Sequence, residues 1–179
     1  MASLQSFLNP APYHLLCYGT LLGSQIFQSI SGVIAYQALP RPQFSQLQQK
    51  IFPLFFGMQA LMPVVLAATY PAASALQHSS FAGVWESSNF NTILLPLAVM
   101  TACGMVNWGY LGPTTTSIMR RRKAQETKEG KKYWDEGPKS EEMKKLNSDF
   151  GKLHGISAMV NLIEILVTMF YGVIIAARL

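Results

Sequence analysis

Hydrophobic positions along this chain fall into four long runs separated by polar breaks. The last run begins at His154. After Gly155 it is almost wholly apolar through Ala177, interrupted by Asn161 and by one carboxylate, Glu164. A helix rises about 1.5 Å per residue, so this run is long enough to cross roughly 30 Å of hydrocarbon. His154, Ser157, Asn161, Glu164, Thr168 and Tyr171 recur at alternating steps of three and four, which places them on one helical face. Ile156, Met159, Leu162, Ile163, Leu166, Val167 and Phe170 fill the other faces and suit lipid. The pattern predicts a membrane span over 154–177 whose polar seam turns toward partner helices. Glu164 would lie about 15 Å inside the bilayer, where an ionised group is costly. It is expected there as a neutral acid facing the bundle, hydrogen-bonded to Ser24, Gln25 or Gln28 of the first span.

The other runs predict three more spans. The first covers 12–39, between Pro10 and Pro12 on one side and Pro40 and Pro42 on the other. It carries Gly19 and Gly23 as a GxxxG pair, then Ser24, Gln28, Ser31 and Ala35 at helical spacing, a small-residue face for close helix packing. Phe44, Leu47 and Ile51 predict a short amphipathic piece over 42–51 on the membrane surface, beside Arg41 and Lys50. The second span is expected at 52–76, with Pro53 in its first turn and a kink at Pro63. A Ser-rich loop with His78, Trp85 and Glu86 leads to a third span at 91–111, closed by Trp108, Tyr110 and Gly112-Pro113.

Residues 114–153 form the long hydrophilic segment. Ser140 with Glu141 and Glu142 behind it is a helix start. Met143, Leu146, Phe150 and Leu153 then form an apolar stripe, while Gly130 and Gly137-Pro138 break the middle. The expectation is a helical hairpin that extends spans three and four beyond the bilayer and pairs antiparallel.

Composition agrees. Of 179 residues 50% are hydrophobic and 13% charged, against about 25% charged in soluble domains. Residues 1–40 have no charged side chain. The net charge of +5 comes mainly from a segment that mixes Lys and Arg with Glu and Asp, which argues against nucleic acid as a partner. Two Lys or Arg fall in the 40–50 loop, eleven in 114–153, and Arg178 alone on the other side. The positive-inside rule then places both loops in the cytosol and both termini opposite. Cys17 and Cys103 suggest no disulfide framework. No basic n-region precedes the first run, so the first span is expected to act as its own uncleaved signal.

Three stretches resemble the transmembrane protein 205 family: residues 38–56 (ALPRPQFSQLQQKIFPLFF), 106–119 (VNWGYLGPTTTSIM) and 150–162 (FGKLHGISAMVNL). The matching positions are His14, Phe44, Phe52, Pro53, Asn107, Pro113, His154, Gly155 and Asn161. The resemblance implies a small four-span protein of eukaryotic endomembranes, the endoplasmic reticulum and secretory pathway, with a mitochondrial membrane as the alternative. It implies no established enzymatic activity and no cofactor. Glu164 is not part of the family pattern.

Candidate chemistry is sparse. His14 and Cys17 share a helix face and could meet His78 on the outer side, short of a metal-ligand set. His14 and His154 begin spans of opposite direction and would stand roughly 25–30 Å apart, too far to share a haem. No nucleophile, zinc or paired-acid motif occurs, so an enzyme is not expected and no catalytic, cofactor or metal residue is assigned. The candidate constellation is an intramembrane polar layer: Gln28, Gln59, Asn107, Asn161 and Glu164. It reads either as interhelical glue or as the floor of a polar cavity. The sequence thus predicts an all-α, integral membrane four-helix bundle with helical cytoplasmic extensions, residues 1–179 forming one membrane domain. The expected role is non-enzymatic, through protein partners, as an accessory subunit or as an oligomer in the lipid bilayer. The alternative is a carrier or channel for a small solute or ion that uses the polar layer.

Overall fold

The computed structural model describes residues 9–72 and 79–177. Among these every regular element is helical. Helix α1 spans Pro10–Ala38. The Asn9 side chain accepts from the Ala11 N–H at 3.0 Å, and the prolines of the first turn sit where a missing donor costs nothing. It stops at Leu39 because the residue before Pro40 is pushed out of the helical region.

Helix α2 is one rod, Arg41–Ala68, which corrects two expectations. The amphipathic piece at 42–51 is its first half and not a separate surface element. Pro53 lies inside it and not in its first turn. The rod is held on both sides of this proline, by the buried Gln48 before it and by Phe55 and Phe56 after it. The Phe52 and Phe56 rings stack at 5.2 Å across the gap. The helix also ends at Ala68, short of the expected 76. Thr69 turns back, its N–H and hydroxyl both reaching the Val65 carbonyl (2.9 and 2.8 Å). Tyr70 precedes Pro71, which cannot continue the ladder.

A short helix α3, Ser80–Val84, leads into a 43-residue rod, Ser87–Glu129. It comprises a 3₁₀ turn, a wide π turn at Phe90–Leu94, α4 at Leu95–Val106, a second π turn at Asn107–Leu111, and α5 at Gly112–Glu129. The helix continues through Gly112-Pro113 into the expected extension of span three. Pro96 and Pro113 each follow a π turn, where the ladder already reaches five residues back: Leu95 N–H to Phe90, Gly112 N–H to Asn107. The extra residue absorbs the proline that would otherwise break the helix.

The hydrophilic hairpin is as expected. Helix α5 ends at Gly130, in the left-handed region at φ 65°, and Gly137 takes φ 95°. Helix α6, Glu141–Ala176, starts with the Ser140 hydroxyl accepting from the Met143 N–H at 3.1 Å. Its first turn carries Glu141 and Glu142, favourable at the positive end of the helix dipole.

Helices α2 and α6 and the 43-residue rod are each long and apolar enough to cross a membrane. The structure is therefore an all-α membrane helical bundle. The first helix has 29 residues and no charge, and Gln, Ser and Thr interrupt its apolar run. It lies against α2 and α6, while α2 packs most extensively on α4, and α6 on α4 and α5. A Cβ at Gly104 would stand 2.4 Å from the Ala60 nitrogen, so this glycine is what lets the α2 and α4 backbones approach. The core gathers Leu21, Leu66, Tyr70, Ile93, Leu97, Met100, Tyr171 and Ile175. Gly19 and Gly23, expected to pack, are exposed, with nothing within 4 Å of an added Cβ. The buried face of α1 is instead His14, Leu21 and Gln25.

Candidate functional site

The polar seam of α6 is real from Ser157 to Tyr171, and each of its residues meets a neighbouring element. His154 falls outside it: this side chain is exposed and stacks on Phe150, rings 5.5 Å apart and 7° from parallel. The Ser157 hydroxyl donates to Asn107 Oδ1 at 2.8 Å, and Asn107 Nδ2 reaches back to the Ser157 carbonyl at 3.4 Å. One turn on, Gln59 Nε2 of α2 donates to Asn161 Oδ1 at 2.7 Å. Next, Gln25 Nε2 of α1 donates to Glu164 Oε1 and to Thr168 Oγ1, both at 3.3 Å. The Thr168 hydroxyl donates to the Glu164 carbonyl at 2.8 Å.

At the far end Tyr171 Oη lies 2.8 Å from His14 Nε2, and His14 Nδ1 lies 3.2 Å from Thr69 Oγ1. The Thr69 hydroxyl already donates to the Val65 carbonyl, so it accepts from Nδ1–H, and Nε2 accepts from Tyr171. Both nitrogens of this fully buried imidazole are thus occupied. His14 meets α6 at Tyr171, about 26 Å along that helix from His154 at 1.5 Å per residue, so the two histidines cannot share a ligand.

Of the expected polar layer, Gln59, Asn107, Asn161 and Glu164 lie along the seam. Gln28 does not. It is half-buried and bonds Gln48 across the α1–α2 contact at 3.4 Å. Gln25, one turn earlier, takes the position facing α6. The 14, 21, 25 spacing of buried α1 residues was the available sign. The layer is also not one network: it divides into pairs at successive depths. Three buried oxygens, Gln25 Oε1, Gln59 Oε1 and Glu164 Oε2, have no hydrogen-bond partner among the described residues.

The family-motif positions scatter. Phe44 packs edge-on to Tyr36 (5.4 Å), and Phe52 stacks on Phe56. Pro53, Pro113, His154 and Gly155 are exposed. No group of three His, Cys, Asp or Glu converges among the described residues, and His78 lies outside them. An open pocket of about 480 Å³ is lined by Gln43, Gln46, Leu47, Gln49 and Lys50. A second, of about 140 Å³, lies beside Ser24, Phe27, Gln28, Leu54 and Met58. Neither reaches the seam.

The hairpin has its own polar centre. The buried Arg122 guanidinium lies over the Tyr133 ring at 3.7 Å and the Phe150 ring at 4.5 Å. Glu126, also buried, accepts from Lys123 at 3.2 Å and from the Tyr133 N–H at 3.3 Å. These contacts fold the connection back onto both helices.

Residues 16–124 match the model of a family described as a domain of unknown function, DUF4149. The chain belongs to the DUF4149 family. It is also 31% identical over 179 residues to xanthocillin biosynthesis cluster protein D of Aspergillus fumigatus, covering 99% of this chain and 96% of that one. No solved structure matches. The DUF4149 match takes in most of α1, all of α2 to α4 and much of α5, and stops short of α6. It therefore contains the seam's partners Gln25, Gln59 and Asn107, but neither His14 nor the seam itself.

Proposed function

We propose that this DUF4149 protein is a non-enzymatic, multi-pass membrane protein that acts as an accessory to protein partners. The observation that carries the reading is where the interior polar groups go. Ser157, Asn161, Glu164, Thr168 and Tyr171 are each spent on a neighbouring helix, and neither pocket opens on them. A reaction centre needs a nucleophile, base or metal beside room for substrate, and a carrier needs a cavity. The name of the Aspergillus relative, a biosynthesis cluster protein, fits an accessory role beside other proteins. The resemblance to the transmembrane protein 205 family adds α1 as a fourth span and an endomembrane location. The charge distribution adds a cytosolic hairpin. Partner surfaces are then the hairpin and the outward Gly19 and Gly23 face. A second reading, the carrier, has one observation in its favour: the buried, unpartnered oxygens of Gln25, Gln59 and Glu164.

The test is crosslinking of the full chain in its native membrane, followed by isolation in mild detergent. A defined partner set is expected, lost when Gly19 and Gly23 become Leu or when the hairpin surface is replaced, with membrane insertion unchanged. Solute flux or turnover by the purified chain alone in vesicles would contradict the proposal.

A further inference from the structure

Gln25 of α1 and Glu164 of α6 are both fully buried, and their hydrogen bonds do not close if Glu164 is ionised. The two amide protons of Gln25 go to Glu164 Oε1 and Thr168 Oγ1. Gln25 Oε1 and Glu164 Oε2 then remain, two buried acceptors with no donor. A carboxylate can only accept, whereas a carboxylic acid has one O–H to give. The deficit is one hydrogen, at one place.

Three things could fill it. A water or an alkali cation needs room, and neither of the two open pockets described above lies here. A proton needs none. The groups facing this point offer no counter-charge. Helix α1 has no Lys, Arg, Asp or Glu, and both nitrogens of its His14 are engaged. Helix α2 has no charged residue after Lys50, α4 contributes Cys103, and α6 contributes Tyr171.

We propose that Gln25 and Glu164 form a proton-binding site, a cyclic acid–amide clasp between α1 and α6. Glu164 Oε2–H donates to Gln25 Oε1 while Gln25 Nε2 donates to Glu164 Oε1. The two orphans satisfy one another, and a charge that hydrocarbon would penalise is removed. With the His14–Tyr171 bond near the end of α6, the clasp ties α1 to the bundle. The proton is the ligand on which that tie depends.

Infrared difference spectroscopy on the full chain in lipid bilayers at neutral pH tests this, because the other eight carboxylic side chains are common to wild type and E164Q and cancel in the difference. Wild type minus E164Q should show a carboxylic acid C=O stretch that E164Q lacks. The band should shift up in Q25L, where its hydrogen bond is lost, and be unchanged when sodium is replaced by a bulky organic cation. Should Q25L lose helix content, Gln25→Asn withdraws the amide by one methylene and should give the same upshift. A difference confined to carboxylate stretches overturns the proposal. So does a band unmoved by Gln25 substitution, or carboxylate bands that respond to sodium, which would make the site one for an alkali cation.

Discussion

Helix α6 runs through both halves of this molecule, and its two ends are held by opposite chemistry. In the apolar half its contacts are uncharged or singly acidic: Ser157 to Asn107, Asn161 to Gln59, Tyr171 to His14. In the hairpin half they are ionic: Arg121 with Glu142 at 3.2 Å, and Arg122 laid over Phe150. The task is the same in each case, to join α6 to its neighbouring helices. What differs is the solvent outside. Lipid tails give no hydrophobic drive for helix association, so the apolar half depends on close approach at Gly104 and on amide and hydroxyl pairs. Water does give that drive, so the hairpin buries Met143 and Leu146 and lets charges line its margins.

Substitutions should break the halves by different mechanisms. The largest effect is expected in the hairpin. Leu146→Ala removes a side chain 1% exposed and should cost about 2–5 kcal/mol of local stability. Limited proteolysis of the 130–140 connection reads this out, with the spans staying protected. Next comes Gly104→Ala. A methyl 2.4 Å from the Ala60 nitrogen must push α2 from α4, an overpacking cost of about 1–3 kcal/mol. Thermal unfolding in detergent measures it, and a hairpin that stays protease-resistant would show that the halves act separately.

A polar pair in the spans should matter less. A double-mutant cycle on Gln59 and Asn161, each to Leu, should give a coupling of about 0.6 kcal/mol and no more than about 1.7. The smallest effect is one of pH. The Ser140 hydroxyl, then the Gln125 amide, hold the Glu129 carboxyl below its ordinary 4.5. A lowered native value means this stabilisation is present above the unfolded value and is lost as pH falls through the native one. The α5–α6 connection should therefore loosen on acidification below 4.5, seen as faster proteolysis by an acid-active protease. Glu129→Gln should remove that dependence.

How far the sequence carries can be judged from particular residues. The six-residue seam was legible because a 3.6-residue period is visible in any apolar run, and only His154, exposed and stacked on Phe150, fell off it. Gln25 was one of three first-span candidates, with Ser24 and Gln28, for the partner of Glu164, because no cation lies at that depth; which of them faces α6 was not legible. The hairpin turn was legible because Gly130 and Gly137 both need the left-handed backbone they adopt. The lengths of the rods were not. Pro53 read as a first-turn proline, yet it lies within a rod, and the π turn that carries the ladder past Pro113 leaves no mark on periodicity. Gly19 and Gly23 misled for a different reason. Small residues permit close packing but do not require it, and on α1 the larger His14, Leu21 and Gln25 decide which side is buried.

The central claim is that the polar seam joins helices and does not line a path for solvent. Thiol accessibility tests it most directly. With Cys17 and Cys103 replaced by Ser, single cysteines at 157, 161, 164 and 168, and one at exposed Lys144 as a control, are treated in sealed vesicles with a membrane-impermeant reagent. Cysteine at 144 should label from the side that carries the hairpin, and the four seam positions should stay unlabelled from both sides. Rapid labelling at 161 or 164, blocked by no neighbouring helix, would mean that water reaches Glu164 and that the seam is a pathway.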